Sequence, residues 1–274
     1  MKKAVVFVLL AALAVLPAVA NGGSEEGAAA EPYTIEVSGS TTVYPLMELL
    51  AEKYTSMHPE ISVNANGTGS SDGIKAANTG TSELGMASRN LKTEEKGFGL
   101  DELAIAYDGI APVVHPSNPL KALSLEQINA IYTGKITDWS ELTSEKSGPI
   151  AVISREPGSG TRGAFEEFCD FEDQLVAGAS EFDGNGGVKA AVAGNPDCIG
   201  YLSLGYIDSS VAGVAVEGAE PTVTNVVNGS FPIARPLLVL YRGDEIAPQT
   251  QAYLDWVMSP EGQEIAATKW VPAK

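Results

Sequence analysis

Short apolar segments with the period of β-strands alternate with helical segments along most of this chain. The segment Tyr33–Ser38 alternates like a strand, and a helix follows from about Val43. A further buried strand is predicted at Ile110–Val114, and the chain closes with two helices, Pro248–Met258 and Pro260–Lys269. Strands that alternate with helices at this spacing form α/β units around parallel sheets, so the pattern predicts an α/β fold.

Three loops of this pattern share one design, in which a strand ends, small hydroxyl residues follow and a helix begins. The loops are Ser38-Gly39-Ser40-Thr41-Thr42, Gly67-Thr68-Gly69-Ser70-Ser71-Asp72-Gly73 and Arg155-Glu156-Pro157-Gly158-Ser159-Gly160-Thr161. A helix N-terminus offers unpaired N–H groups and the positive end of a dipole, so each junction can bind an oxyanion. Only the third loop adds a fixed positive charge, since the Arg155 guanidinium can fork onto two oxygens. One such junction alone is most often a helix cap, but the three together indicate an oxyanion site.

The second loop also fits the G-x-S-x-G pattern of serine hydrolases, with Ser71 as the nucleophile. A catalytic triad needs a histidine base, and His58 and His115 each stand directly before a proline at the end of a predicted element. A secreted serine hydrolase is therefore the weaker alternative. A phosphate loop of the Walker type is excluded, because no Gly-Lys-Ser/Thr follows at the required spacing.

The first 20 residues read as a secretory signal peptide. Lys2 and Lys3 precede the apolar run Ala4–Leu16, and Ala18-Val19-Ala20 supplies a cleavage site. A permanent N-terminal anchor is the alternative. Residues 21–32, rich in Gly, Ala, Ser and Glu, are predicted to form a flexible tether. The protein is therefore expected to be exported, to a periplasm or to the outer face of the cell membrane.

The charge balance excludes one class of partner. The chain has 17 basic and 35 acidic residues and a net charge of −18, which becomes −20 when Lys2 and Lys3 leave with the signal peptide. So acidic a protein is not expected to bind nucleic acid or anionic lipid. An anion must therefore be held by donors aimed at one point rather than by a general attraction.

Cys169 and Cys198 are the only cysteines in the sequence. In an oxidising compartment they could form a disulfide closing a loop of about 30 residues, worth about 3 kcal/mol. They could equally stay free, since the sequence does not show whether their Cα atoms lie within bonding reach. Two cysteines and two histidines spread along the chain do not make a zinc site, and no metal is expected.

Several motifs, taken in order, resemble the phosphate-binding proteins of ABC-type phosphate importers. They are Gly39-Ser40-Thr41-Thr42, Gly69-Ser70-Ser71-Asp72-Gly73-Ile74-Lys75, Ile131-Tyr132-Thr133-Gly134-Lys135-Ile136-Thr137-Asp138-Trp139, Ser154-Arg155-Glu156-Pro157-Gly158-Ser159-Gly160-Thr161 and Ser259-Pro260-Glu261-Gly262-Gln263. Each motif alone is loose, but the ordered set runs from about Tyr33 to Lys274 and is specific.

The resemblance implies a bilobal, periplasmic-binding-protein-like α/β fold of type II, with two lobes joined by hinge strands. Lobe 1 would combine residues 33–114 with 228–274, and lobe 2 would span 115–227. Inorganic phosphate would be buried between the lobes and passed to the permease subunits of an ABC transporter. The protein would be a monomer, not an enzyme, and would need no cofactor.

The same resemblance assigns ligand contacts. The residues expected to hold phosphate are Thr41, Thr42, Ser70, Arg155, Ser159, Gly160 and Thr161, with Ser40 as a possible addition. Another oxyanion (sulfate, molybdate or tungstate) remains the nearest alternative ligand. An adhesion or scaffold protein of the same fold, without a small ligand, is a more distant alternative.

Arg89 is the one departure from the pattern of well-known family members. Some of them carry Asp at this position, where it would accept the proton of hydrogen phosphate and help to exclude sulfate. Arg89 could bind the ligand instead, or it could be a surface arginine paired with Glu94 or Glu95. The sequence leaves both readings open.

Overall fold

The computed structural model describes residues 31–274, so the predicted signal peptide and residues 21–30 of the predicted tether lie outside the described residues. The strands are β1 (Tyr33–Gly39), β2 (Ile61–Gly67), β3 (Leu84–Ala87), β4 (Asp101–Val114), β5 (Ala122–Leu123), β6 (Ala151–Arg155), β7 (Ser180–Phe182), β8 (Cys198–Ser203), β9 (Ala212–Gly213), β10 (Ala215–Val216), β11 (Ala234–Tyr241) and β12 (Val271–Pro272).

Helices connect these strands in the alternating order that the sequence predicts. They are α1 (Tyr44–Met57), α2 (Ser70–Thr79), α3 (Thr93–Lys96), α4 (Leu125–Tyr132), α5 (Gly160–Phe168), α6 (Gly184–Gly194), α7 (Val223–Val227), α8 (Pro248–Val257) and α9 (Pro260–Ala266). Within residues 31–274, none of the helices has both the length and the apolar character needed to cross a bilayer.

The principal sheet has the strand order β2-β1-β3-β11-β4-β8-β6-β7. At one end β1 lies parallel to β2 and β3, and at the other end β6 lies parallel to β8 and β7. The central strands β11 and β4 are antiparallel to each other and to their neighbours β3 and β8. β4 is the longest strand because its first half pairs with β11 and its second half with β8.

Two large hydrophobic cores lie along this sheet. The first core packs α1, α8 and α9 against β1–β3 and the start of β4, around Ile35, Leu46 and Tyr253. The second core packs α4 and α5 against the end of β4 and β8, around Trp139 and Phe165. β4 passes from one core to the other, and the bilobal fold follows from this arrangement.

The predicted elements are found, and two of them differ from the prediction by more than one residue at one end. β4 begins at Asp101 rather than Ile110, because antiparallel pairing with β11 extends it through a segment whose acidic residues obscure the strand pattern. α9 ends at Ala266 rather than Lys269, and the N–H of Trp270 donates to the Ala266 carbonyl at 2.9 Å to close its last turn.

The disulfide that the sequence left open does not form in this structure. Cys169 and Cys198 are both free thiols and both buried. Cys169 packs in the second core, at the end of α5, while Cys198 belongs to a separate cluster between β8 and α6. Burial among apolar side chains raises the pKa of each thiol, which keeps both protonated.

Candidate functional site

The three hydroxyl-rich loops predicted from the sequence meet at one place. The Oγ1 atoms of Thr42 and Thr161 lie 2.9 Å apart, which joins the first loop to the third. The N–H of Ser71 donates to the Gly158 carbonyl at 3.2 Å, which joins the second loop to the third. The residues at this junction, here called the polar cluster, are Ser40, Thr41, Thr42, Ser70, Ser88, Arg155, Ser159, Gly160 and Thr161.

Glycines allow the first and second loops to pack this closely. Gly39 ends β1 with a φ of +135°, a conformation that favours glycine, and its carbonyl accepts N–H bonds from Thr68 and Gly69 at 2.7 and 2.8 Å. A Cβ on Gly73, in the first turn of α2, would lie 2.6 Å from the Gly39 Cα. The end of β1 is therefore in direct backbone contact with the N-terminal turn of α2.

Ser40 shapes the first loop and has no free donor for a ligand. Its Oγ accepts the N–H groups of Thr42 and Val43 at 3.1 and 3.3 Å, and it donates to the Ser88 Oγ at 2.8 Å. A hydroxyl carries only one hydrogen, so this donation uses it. Ser40 therefore positions the backbone that presents Thr41 and Thr42.

The third loop presents the N-terminus of α5. Ser159 caps this helix, with its Oγ accepting the Arg162 N–H at 3.3 Å. A Cβ on Gly160 would lie 2.7 Å from the Ser88 Oγ and closer still to the Ser70 Oγ. The first turn of α5 thus lies directly against two buried hydroxyls that come from the other loops.

Arg155 is the buried charge of the cluster, with an exposed fraction of only 1%. Its Nε and Nη2 both donate to the Glu156 carboxylate at 2.7 Å, and Nη2 also donates to the Thr41 Oγ1 at 3.1 Å. The Tyr201 hydroxyl accepts the Arg155 backbone N–H at 3.1 Å. Burial raises the pKa of Tyr201 to about 12, so the phenol stays protonated at neutral pH.

The cluster contains hydrogen-bond donors that no protein group uses. Arg155 Nη1 is buried and has no partner among residues 31–274. The backbone N–H groups of Thr41, Ser70, Gly160 and Thr161 likewise have no acceptor within that part of the chain. Buried donors in folded proteins are almost always paired, so a group of unpaired ones at two helix N-termini fits an anion.

Ser88 and Asn185 also belong to this site; the sequence did not indicate Ser88, while Asn185 lies in Asp183–Gly187, a loop before a helix that the sequence suggests could line the cleft. Ser88 follows β3, and its N–H donates to the Ser70 Oγ at 3.1 Å. Asn185, at the start of α6, donates from Nδ2 to the Thr42 Oγ1 at 3.0 Å, and its Oδ1 accepts the Ser203 N–H at 3.2 Å. Ser88 sits where β3 gives way to a polar loop, which is the signal that could have identified it.

Arg89 is buried, and its terminal nitrogens are committed elsewhere. Nη1 and Nη2 form a bidentate pair with Glu95 at 2.6 and 2.8 Å, and they also donate to the Asn90 carbonyl and the Ser71 Oγ. Burial raises the pKa of Glu95, but bonds from Arg89 and from the Lys92 N–H outweigh it, and the pKa is lowered overall. Pairing with Glu95 is thus observed, although Arg89 is not a surface residue.

A second buried ion pair lies behind Ser88. Arg235 on β11 contacts Asp108 on β4, with Nη2 at 3.1 Å from Oδ2, and both residues are almost fully buried. Arg235 Nη1 also donates to the Ser88 carbonyl at 2.8 Å. Burial raises the pKa of Asp108, although Arg235 opposes this effect. Neither residue was identified from the sequence, because only the register of β11 on β4 brings them together.

The serine of the hydrolase-like pattern lies in a different setting from a nucleophile. The Ser71 Oγ accepts a bond from Arg89 Nη2 at 3.2 Å. His115 Nδ1 lies 2.8 Å from the Ser117 Oγ, and His58 Nδ1 lies 3.5 Å from Glu60. Each histidine therefore contacts a neighbour of its own rather than Ser71.

Comparison with known proteins gives matches over most of the chain. The protein-family model described as PBP superfamily domain matches residues 23–261 of this chain. A Clostridium perfringens protein, assigned to a phosphate ABC transporter and crystallised with bound phosphate, superposes with a TM-score of 0.85 at 46% identity, covering 88% of this chain and 100% of that one. An ABC-type phosphate transport receptor from Vibrio cholerae gives a TM-score of 0.77 at 33% identity, covering 87% and 99%. The phosphate-binding protein PstS of Pseudomonas aeruginosa is 30% identical, covering 83% of this chain and 79% of its own length.

Proposed function

This chain belongs to the PBP superfamily and, within it, to the family of PstS phosphate-binding proteins, and on that basis we propose that it captures inorganic phosphate for an ABC transporter. The observation that carries the proposal is the buried, unpaired Nη1 of Arg155, in a cluster that also holds unpaired backbone N–H groups. Phosphate supplies oxygens in several directions, so one tetrahedral anion can accept bonds from all of these donors.

The proposed ligand contacts follow from the donors that remain available. Thr41 and Ser70 offer N–H groups from the first two loops, and Gly160 and Thr161 offer theirs from the first turn of α5. Arg155 adds its Nη1. The hydroxyls of Thr42 and Thr161 face each other at 2.9 Å and can turn toward the anion, while Ser159 and Ser40 hold the loops in shape.

Arg89 is proposed to position the second loop rather than to bind phosphate. Its bonds to Ser71 and Glu95 join α2 to α3, and together with the bond to the Asn90 carbonyl they use all the hydrogens of both terminal nitrogens. A ligand role would require these bonds to break. The group that accepts a phosphate proton is then to be sought elsewhere in the polar cluster.

The lobes proposed to close over phosphate are residues 33–114 with 228–274 and residues 115–227. The two cores support a division of this kind, because the first draws on β1–β3, α8 and α9, and the second on α4 and α5. Ile110 and Phe231, near the proposed bounds, pack in the second core. β4 and β11 would carry the hinge, since both strands have residues in each core.

The family relationship also bears on where the protein acts and on what it contacts. The protein would act as a monomer outside the cytoplasm and would present phosphate to permease subunits in the membrane, without a cofactor and without catalysis. The relatives are named as binding proteins and transport receptors, which supports this reading. The setting of Ser71 beside Arg89 gives the hydrolase alternative no support.

Calorimetric titration of the chain from residue 21 onward with phosphate, sulfate, molybdate and arsenate tests the proposal. Phosphate is expected to bind, and Arg155→Ala to weaken it by about 2–5 kcal/mol, because the anion loses its buried charge partner. Lys189→Ala removes a cation from an exposed pair with Asp208 and serves as the control. Tighter binding of sulfate or molybdate would make phosphate the wrong ligand, and an unchanged phosphate affinity in Arg155→Ala would make this the wrong site. Ester turnover abolished by Ser71→Ala would instead support the hydrolase.

A further inference from the structure

The ion pair between Asp108 and Arg235 stands where the two cores meet. The residues are direct cross-strand neighbours on β4 and β11. On β4, Ala106 packs in the first core and Ile110 in the second, so the pair lies at the passage between them. A distortion at this point would alter how the two halves of the polar cluster face each other.

On one side the pair holds the part of the cluster that follows β3. Arg235 Nη1 donates to the Ser88 carbonyl at 2.8 Å. Ser88 in turn donates its N–H to the Ser70 Oγ and accepts the Ser40 hydroxyl. Arg235 is therefore one bond away from the residue that links the first and second loops.

On the other side the pair faces the end of β8. The Ser203 hydroxyl and the Leu204 N–H lie beside the Asp108 carboxylate, although the Ser203 Oγ has no hydrogen-bond partner among residues 31–274. The Ser203 N–H bonds to Asn185, which donates to Thr42. Packing is tight at this point, since a Cβ on Gly109 would lie 2.7 Å from the Leu204 Cδ1. Asp108 therefore lies next to Ser203, whose N–H is linked through Asn185 to the hydroxyl contact between Thr42 and Thr161.

A buried ion pair is a poor way to stabilise a fold, because taking two charges out of water offsets much of their attraction. Replacing such a pair by apolar residues of similar volume is often neutral or stabilising. A pair kept at this position, with a bond to Ser88 on one side and Ser203 beside it on the other, is better explained by geometry than by stability.

We infer that Asp108 and Arg235 are positioning residues of the proposed anion site. Together they align the part of the polar cluster around Ser88 with the part around Thr42, which Asn185 contacts. The inference rests on the proposed phosphate-binding function. It assigns the pair no direct contact with the anion. Removing the pair should therefore lower the affinity for phosphate even in a variant that still folds with normal stability.

The decisive variant replaces both charges at once. Asp108→Val combined with Arg235→Met keeps the summed side-chain volume close to that of the pair and leaves no single charge buried, so it is expected to fold and to unfold at a temperature no lower than that of the wild-type protein. Its phosphate affinity, measured by calorimetry, is expected to fall at least about tenfold. Lys146→Met, which removes the more exposed pair with Asp197, is the control and should bind as the wild type does.

The outcomes separate this inference from the proposed function. If the wild-type protein binds phosphate and the folded double variant binds it with equal affinity, the positioning role is overturned and the phosphate function stands. No phosphate binding by the wild-type protein overturns both. If the double variant does not fold, Asp108→Asn carries the comparison, since it keeps the shape of the side chain and removes its charge. An affinity of folded Asp108→Asn within about twofold of the wild type would then overturn the inference.

Discussion

The side-chain hydroxyls of Thr42 and Thr161 are in contact at 2.9 Å, although 119 positions separate the two residues along the chain. Thr42 stands just before α1 and Thr161 in the first turn of α5, so the contact joins two helix N-termini. Both side chains are almost fully buried. These two hydroxyls of the proposed site are therefore brought together by the tertiary contact between the first and third loops.

This contact makes Thr42→Val a direct test of the hydroxyl. Valine keeps the shape of threonine, but it cannot bond to the anion, to Thr161 or to the Asn185 amide. We expect phosphate binding to weaken by about 1.5–3 kcal/mol, as for a hydrogen bond to a charged group, measured by calorimetry. Thr79→Val, at an exposed hydroxyl bonded to the Lys75 carbonyl, is the matched control. Equal affinities of the two variants would contradict the prediction.

Gly160→Ala tests the close approach of α5 to the second loop. The added methyl would collide with the buried hydroxyls of Ser70 and Ser88, so the cluster could not close as observed. We expect at least a tenfold loss of phosphate affinity, which is about 1.4 kcal/mol. Gly194→Ala, on the exposed end of α6 where a methyl meets nothing within 4 Å, should bind normally. Normal binding by Gly160→Ala would show that the approach is not required.

Glu95 should give the protein a pH-dependent stability. Its folded pKa is lower than the ordinary value of 4.5, so the ionised carboxylate stabilises the fold. That contribution is complete above the ordinary pKa and is lost as the pH falls through the folded one. The difference in unfolding temperature between wild type and Glu95→Gln should therefore be larger at pH 7 than at pH 3, and should shrink further as the pH falls. Glu94→Gln removes a carboxylate from the same helix without breaking the bond to Arg89 and is the control. A difference for Glu95→Gln that stays constant with pH would contradict the prediction.

The two cysteines should behave as buried thiols. Because Cys169 and Cys198 lie in separate clusters, we expect a reducing agent to leave the unfolding temperature unchanged. Alkylation followed by mass spectrometry should find two reactive thiols after denaturation and almost none before it. A mass that shows no alkylation after denaturation without reductant would reveal a disulfide instead.

The candidate site was largely predictable because its main signals are local. Where a strand is followed by glycines and hydroxyl residues and then by a helix, the loop presents hydrogen-bond donors. All three predicted loops have this arrangement in the structure. Ser88 carries a weaker form of the same signal and was missed. Arg155 was identified as the charge of the site, but nothing in the sequence indicated that Glu156 would pair with it through two bonds.

By itself, the sequence determined the α/β alternation, the polar loops and their helix N-termini, because periodicity, capping and turn chemistry act over a few residues. Only the tertiary structure decided that Cys169 and Cys198 stay apart, that Arg89 is buried against Glu95, and that Arg235 meets Asp108. These relations depend on strand register and on the packing of residues far apart in the chain. A hydrogen bond or ion pair tolerates an error of less than one ångström, and no local pattern places distant residues that closely.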